Sequence, residues 1–258
     1  TVCDSLANSL AKRHEVTVFQ PKKFDADRPY RIIEIPTRGG EQKASRTILK
    51  FLRLDRAHRE MLAFSLRAIG KCLFIRPDII VPMNGNWVIL LSKVYSFLSN
   101  ARLVVSGQSA ISPDPLTLKF RPDLFECLSA QNETCVKHAA PKQRTVLIPN
   151  GVDLNAFAPA PKTNPYGLPR PVVPCAAGPD RYKNVQETIQ AVSRLEGVSL
   201  LVLGGSPETR EMGARLLGAR FRQTTAPHDQ MPAIFNSADL FTLASESSEA
   251  FGVVYLEA

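Results

Sequence analysis

The sequence predicts an α/β fold of two Rossmann-like domains facing across a cleft, and three observations carry that expectation. Short β-rich runs alternate with helical patterns along nearly the whole chain, the signature of parallel βαβ units. The 258 residues are enough for two domains of ordinary size. Residues 157–174, FAPAPKTNPYGLPRPVVP, hold six prolines, which neither propagate a helix nor sit in a central strand. That stretch divides the chain into a first domain over residues 1–150, a linker over 151–171 and a second domain over 172–258.

In chain order, the first domain is expected to hold strands at 14–19, 31–35, 78–82, 102–106, 124–129 and 145–148. Between them fall helical patterns at 4–13, 46–74, 87–98 and 130–137. After the proline-rich stretch a second series runs strand 172–177, helix 185–194, strand 198–204, helix 207–217, strand 220–223, helix 228–236 and strand 240–244. A further helix begins near Ala250. In such sheets ligands bind beyond the carboxyl ends of the strands, and a cleft between two such domains is the natural active site.

Composition narrows the function classes. Charged residues make up 22% and hydrophobic ones 44%, ordinary for a soluble globular protein. No stretch approaches the roughly 20 apolar residues that span a bilayer, and no signal peptide is legible, although residue 1 is not a methionine. These features suggest a cytoplasmic location. Cys3, Cys72, Cys127, Cys135 and Cys175 form no C-x-x-C pair, which reads as reduced thiols packed as small apolar groups. The four histidines are scattered in the sequence, so no protein-bound metal is expected. The net charge of +8 is uneven: residues 1–76 hold 16 Lys/Arg against 8 Asp/Glu, and the remainder 16 against 16. An anionic surface or ligand near the first third follows from that asymmetry. Nucleic acid is not the expected partner, because no aromatic-basic platform or known binding motif is present.

Three segments could carry chemistry. VLIPNGVDLNAF (146–157) is a strand end and tight turn, with Asn150-Gly151 suited to positive φ and Asp153 able to cap. CAAGPDRYKNVQETIQAV (175–192) is a strand, a turn with Gly178, two cations and an amphipathic helix. Arg181 and Lys183 stand at the helix N-terminus, where the dipole disfavours cations by roughly 0.3–1 kcal/mol. They are either solvated loop charges or the partners of an anion, which a helix N-terminus also suits. SESSEAFGVVYLEA (245–258) places Glu249 and Glu257 eight positions apart. Glu249 reads as a helix-mouth acid and Glu257 as a flank acid, yet carboxylates also accept bidentate hydrogen bonds from vicinal hydroxyls.

Together these segments resemble the retaining GT-B glycosyltransferases of glycosyltransferase group 1. VLIPNGVD, the D-R-Y-K-N turn and E-A-F-G-V-V-Y-L-E match that family's segments in order and spacing. Glu249 and Glu257 fall in the two acid positions of its E-x7-E motif, and LANSLAKRHEVTVF (6–19) resembles its first helix and second strand. The resemblance implies transfer of a sugar from a UDP-, GDP- or ADP-sugar, with anomeric configuration kept and no metal or other cofactor. By that correspondence Glu257 holds the donor ribose and Glu249 contacts the transferred sugar. Lys183 binds the diphosphate, and backbone amides around Phe251, Gly252 and Val253 face it. The family's partner arginine directly follows the glycine; that position is Pro179 here, and Arg181 is its substitute. The acceptor histidine of many members is also absent. The segment reads VVSGQSAIS, leaving Gln108 as an acceptor-side donor that cannot shuttle a proton. The glycine-rich loop belongs upstream of Thr1, so both domains are expected to be incomplete and the fragment inactive alone.

Other readings compete. Asp25-Ala26-Asp27 looks like a metal-binding D-x-D but reads as solvated loop charge. The basic segment from Lys43 to Lys71 intersperses Lys43, Arg46, Lys50, Arg53, Arg56 and Arg59 with Ile48, Phe51, Leu52, Leu54 and Leu62. It suits either a core-packed helix with a basic outer side or peripheral contact with the anionic cytoplasmic membrane face. A nucleotide-sugar epimerase, or a non-catalytic sugar-nucleotide binder on the same architecture, is the alternative functional class.

Overall fold

The computed structural model describes residues 2–21, 27–37, 56–83, 85–108, 115–177, 183–245 and 251–258. They form two compact units, Thr1–Pro149 and Asn150–Ala258.

Unit one runs α1 (Val2–Leu10), β1 (Thr17–Gln20), β2 (Arg31–Glu34), α2 (Arg56–Ile75), β3 (Ile79–Ile80) and α3 (Asn86–Ser99). It continues with β4 (Arg102–Ser106), α4 (Pro115–Lys119), β5 (Leu124–Cys127), α5 (Ala130–Ala139) and β6 (Thr145–Leu147). β1 and β2 pair in parallel, and β3-β4-β5-β6 form a parallel sheet in chain order. Each strand run expected in this half contains a strand. The short helix α4 is the addition, because five residues are too few to show a helical period. The expected helix over 46–74 is seen from Arg56 onward, and residues 38–55 lie outside the described residues.

The core of unit one gathers Leu103 and Val105 from β4 and Phe125 and Cys127 from β5. Ile89 of α3, Leu118 of α4 and Val136 of α5 cover them. A second cluster of Cys72, Tyr95 and Ala101 joins α2 to α3, where Tyr95 Oη donates to the Cys72 carbonyl at 2.9 Å. All five cysteines are free thiols. Burial pushes Cys72 up and Cys127 up to about 11, so both pack as small apolar groups.

Unit two runs β7 (Val172–Ala177), α6 (Val185–Ser193), β8 (Ser199–Gly204), α7 (Pro207–Leu217), β9 (Phe221–Thr224), α8 (Met231–Ser237) and α9 (Val253–Glu257). β7, β8 and β9 pair in parallel. The expected strand at 240–244 is reduced to one parallel bridge, Thr242 with Cys175. Cys175 already pairs with Val202 of β8, so this segment occupies the other edge of β7. The helix expected at 228–236 divides into a 3₁₀ turn at His228–Gln230 and α8. Pro232 fits the first turn of α8, where its missing N–H costs no hydrogen bond.

β8 is buried on both faces, which explains its unbroken apolar run SLLVLG. Leu200 and Val202 pack under α6 and α7 with Val185, Ile189, Val192 and Leu217. Leu201 and Leu203 face the other way, against Leu168, Val172 and Ile234. The proline-rich stretch thus supplies part of a core layer. It is also fastened by Ala160 N–H to Asn236 Oδ1 at 2.8 Å and Asn236 Nδ2 to the Ala158 carbonyl at 3.0 Å.

α7 opens on a capping box, with Ser206 and Thr209 exchanging side-chain and backbone hydrogen bonds. Midway along it, a Cβ on Gly213 would stand 2.1 to 2.5 Å from three ring atoms of Phe221. Gly213→Ala should therefore destabilise unit two by about 1–2 kcal/mol, overpacking outweighing the gain in helix propensity. A lowered thermal midpoint, restored by adding Phe221→Leu, checks this; a raised midpoint would refute it.

Candidate functional site

In unit two the chain leaves β7 toward β8 on one side and later returns to β7's opposite edge at Thr242. The carboxyl ends of β7 and of the 240–244 segment therefore flank a topological switch point, the place where open α/β sheets bind ligands. In sequence, D-R-Y-K-N follows the first of these ends and the E-x7-E segment follows the second. One hydrogen bond ties them together, Asn184 Nδ2 donating to the Ala244 carbonyl at 3.0 Å.

Asn184 can make that reach because it takes the left-handed conformation, φ 47° and ψ 45°, directly before α6. Asn tolerates this region better than most residues. Its side chain does not cap its own helix; it joins two loops 60 residues apart. Lys183 precedes it and is half-buried. Burial pushes the Cys175 thiol up, against the opposing hydrogen bond with Thr188 and the charge of Lys183. That influence places the lysine's charge near the carboxyl half of β7. Arg181, Gly178 and Pro179 lie outside the described residues, as do Glu246 and Glu249.

The second segment is described from Phe251. Gly252 is buried at φ 71° and ψ 60°, a conformation that favours glycine, and it starts the five-residue α9 with Val253. α9 is anchored on both sides. Tyr255 Oη donates to the Leu243 carbonyl. Glu257 Oε1 stands 3.0 Å from His228 Nε2, within hydrogen-bond distance, and the carboxyl oxygen accepts where that ring nitrogen carries the N–H. Glu257 is 12% exposed and His228 62% exposed, so the histidine lies on the solvent side of the pair. A row of rings backs them, His228–Phe157, Phe157–Phe235, Phe235–Phe241 and Phe241–Tyr255, with centroids 5.7, 6.2, 5.5 and 5.7 Å apart.

The N-G-V-D turn is less special than its sequence implied. Gly151 keeps an ordinary negative-side or extended backbone and has open space around it. Asp153 does cap, its Oδ1 accepting from Asn155 N–H at 2.9 Å and Ala156 N–H at 3.4 Å. The motif's contribution to the site is Phe157, against which His228 packs.

Gln108 belongs to unit one, beyond the carboxyl end of β4, and its Nε2 donates to Ser106 Oγ at 2.9 Å. A Cβ on Gly107 before it would stand 2.8 Å from the Phe125 ring and 3.1 Å from the Glu126 carbonyl oxygen. The strand end is thus tightly fixed. Of the D-x-D acids, Asp25 lies outside the described residues and Asp27 is exposed. Among the described residues, no three His, Cys, Asp or Glu side chains converge as a metal cage would require.

Asn184 and His228 are the two residues of this site that sequence reasoning missed. The only signal for Asn184 was its place at the end of D-R-Y-K-N. For His228 there was none, since its partner is 29 residues away.

No protein-family model matches the chain, and no curated protein matches it by sequence. Solved structures do. HepE from Anabaena, in complex with UDP and glucose, is similar over 100% of this chain and 73% of its own, with a TM-score of 0.70 and 18% identity. Sucrose-phosphate synthase from Thermosynechococcus elongatus is similar over 98% of this chain and 71% of its own, with a TM-score of 0.73 and 19% identity. A Listeria monocytogenes protein provisionally named a UDP-N-acetylglucosamine 2-epimerase is similar over 71% and 56%, with a TM-score of 0.50 and 14% identity. The fold is therefore the GT-B fold, an α/β architecture of two Rossmann-like domains. A fold shared by transferases and an epimerase does not by itself assign the chemistry.

Proposed function

We propose that the chain is the core of a retaining glycosyltransferase, moving a sugar from a nucleoside-diphosphate sugar to an acceptor hydroxyl. The observation that carries the reading is the junction at the switch point of unit two. There the Asn184–Ala244 hydrogen bond joins the residue after Lys183 to the 240–244 segment, from which the sequence runs on to Glu249 and Glu257. A cation-bearing turn and a pair of acids eight residues apart suit one extended ligand with a charged middle and hydroxyl-rich ends. HepE in complex with UDP and glucose, on the same fold, supports a ligand of that kind.

In this reading Lys183 and Arg181 stabilise the charge that grows on the leaving diphosphate, with the amides of Phe251, Gly252 and Val253. Glu249 orients the transferred sugar and Glu257 the ribose. Gln108 serves the acceptor side as a hydrogen-bond donor. The diphosphate itself helps to deprotonate the acceptor, so the protein's work is placement and charge stabilisation, and the side-chain cations make a metal unnecessary.

A panel of UDP-, GDP- and ADP-sugars with the intact protein tests this. Sugar-dependent release of nucleoside diphosphate that persists in EDTA, with the product anomer matching the donor, is the expected result. An epimerised donor without release would instead make the chain an epimerase, and binding without either would leave it a sugar-nucleotide binder. Glu249→Gln should lower transfer about 10- to 100-fold with nucleoside-diphosphate affinity nearly unchanged, because only the sugar end loses its acceptor.

The exposed Leu66, Leu73 and Phe74 on the basic helix α2 support peripheral contact with anionic lipid as part of the same reading. No described helix is long and apolar enough to cross a membrane. Sedimentation with phosphatidylglycerol vesicles at moderate salt should carry the protein down; its absence from the pellet would remove this partner.

A further inference from the structure

We propose that His228 is the positioning residue for Glu257, holding one carboxylate oxygen so that the other meets the ribose hydroxyls of the donor. The assignment rests on the functional reading above, which gives Glu257 those hydroxyls.

The direction of Glu257 is fixed from outside α9, by a side chain of the 3₁₀ turn at His228–Gln230. A glutamate also has three rotatable bonds, and ordering them costs entropy that a ligand would otherwise have to supply. The structure removes that freedom in advance. His228 Nε2 is 3.0 Å from Glu257 Oε1, and the Glu257 side chain is 12% exposed against 62% for that of His228.

The histidine is itself held. It opens the 3₁₀ turn after Pro227, and its ring stands edge-on to Phe157 at 5.7 Å and 70°. From Phe157 the contacts pass through Phe235 and Phe241 to Tyr255, which lies on α9 two residues before Glu257. The circuit therefore closes on the helix that carries the acid. Every other member of the circuit is an aromatic ring, and the His228–Glu257 hydrogen bond is its polar link. A carboxylate has about four acceptor sites on two oxygens. One imidazole N–H occupies one site on Oε1 and leaves enough capacity for a vicinal diol.

The test is calorimetric titration of the intact protein with UDP and with 2′,3′-dideoxyuridine diphosphate. If UDP is the wrong base, GDP or ADP and its dideoxy counterpart take its place. Wild type should prefer the ribonucleotide roughly 30-fold, the value expected when each of two hydroxyls contributes one ordinary net hydrogen bond. Glu257→Gln should cut that preference most. His228→Ala should reduce it to roughly threefold, with affinity for the dideoxy nucleotide unchanged within about twofold. That unchanged affinity also shows that the variant is folded. His228→Gln, which keeps a donor near the Nε2 position, should retain most of the preference.

Wild-type preference in His228→Ala overturns the assignment, as does a His228→Gln variant that behaves like His228→Ala. A wild type that binds UDP with no regard to the ribose hydroxyls removes Glu257 from the ribose, and with it the role of His228. A wild type that binds no nucleoside diphosphate overturns the functional reading itself, which separates that failure from failure of the His228 assignment alone.

Discussion

Lys183→Ala is expected to lower turnover about 10²- to 10³-fold, equivalent to roughly 3–4 kcal/mol of lost transition-state stabilisation. The charge on the departing diphosphate is largest in the transition state, so a cation that meets it acts more on kcat than on donor binding. The donor KM should change by less than about tenfold in the same measurement. Lys183 stands just outside the amphipathic helix α6, whose buried Val185, Ile189 and Val192 hold the fold, so its removal should leave the thermal midpoint near wild type. Lys183→Arg keeps the charge but replaces a compact ammonium with a planar fork, and should recover part of the rate. The measurement is sugar-dependent release of nucleoside diphosphate. Wild-type turnover in Lys183→Ala would show the lysine to be a solvated loop charge with no part in the reaction.

Asp239→Ala is expected to cost unit two about 2–3 kcal/mol of stability, because one small side chain joins three elements. Its Oδ1 accepts from Lys162 Nζ at 2.7 Å and Arg170 Nη1 at 2.6 Å, both in the proline-rich stretch. Its Oδ2 accepts from Val172 N–H at 2.9 Å, at the start of β7. Truncation would leave Arg170 and the Val172 amide without that acceptor at the edge of the sheet. The hydrogen bond from Lys162 does most to hold the Asp239 carboxyl at about 2, followed by the bond from Val172 N–H and the charge of Arg170. A depressed carboxyl stabilises the fold fully above its unfolded value near 3.8 and loses that contribution as pH falls through its folded value. The wild type should therefore lose stability between about pH 4 and pH 2 in a way that Asp239→Ala does not share. Urea unfolding followed by circular dichroism across that range checks both parts. Equal slopes for the two proteins would show that the carboxylate does not hold the stretch in place.

Much of this protein was legible in the sequence because the signals are local. The apolar run SLLVLG read as a strand over 198–204, and β8 is that strand; the fold buries it on both faces, with Leu200 and Val202 on one side and Leu201 and Leu203 on the other. The amphipathic pattern after D-R-Y-K-N put α6 within one residue of its observed end. The alternation of these elements was enough to predict the α/β class and two Rossmann-like domains. The E-x7-E spacing marked Glu249 and Glu257 in the sequence, and of the two Glu257 falls among the described residues.

Contacts between distant residues had no such signature. The proline-rich stretch read as a linker because prolines forbid regular structure locally. Its fastening depends on Asp239, 69 residues beyond Arg170 in the chain. The strand pattern at 240–244 is real in sequence, yet the ladder there is a single bridge. Asn184 and Ala244 become neighbours only because the chain returns to the free edge of β7. His228, isolated in the sequence, meets Glu257 only because the loop after β9 and the short helix α9 converge. Hydrophobic period and motif spacing are one-dimensional, and they determined the elements and the residue types of the site. Side-chain hydrogen bonds between separate loops depend on the order of strands in the sheet, and that order determined which of those residues are neighbours.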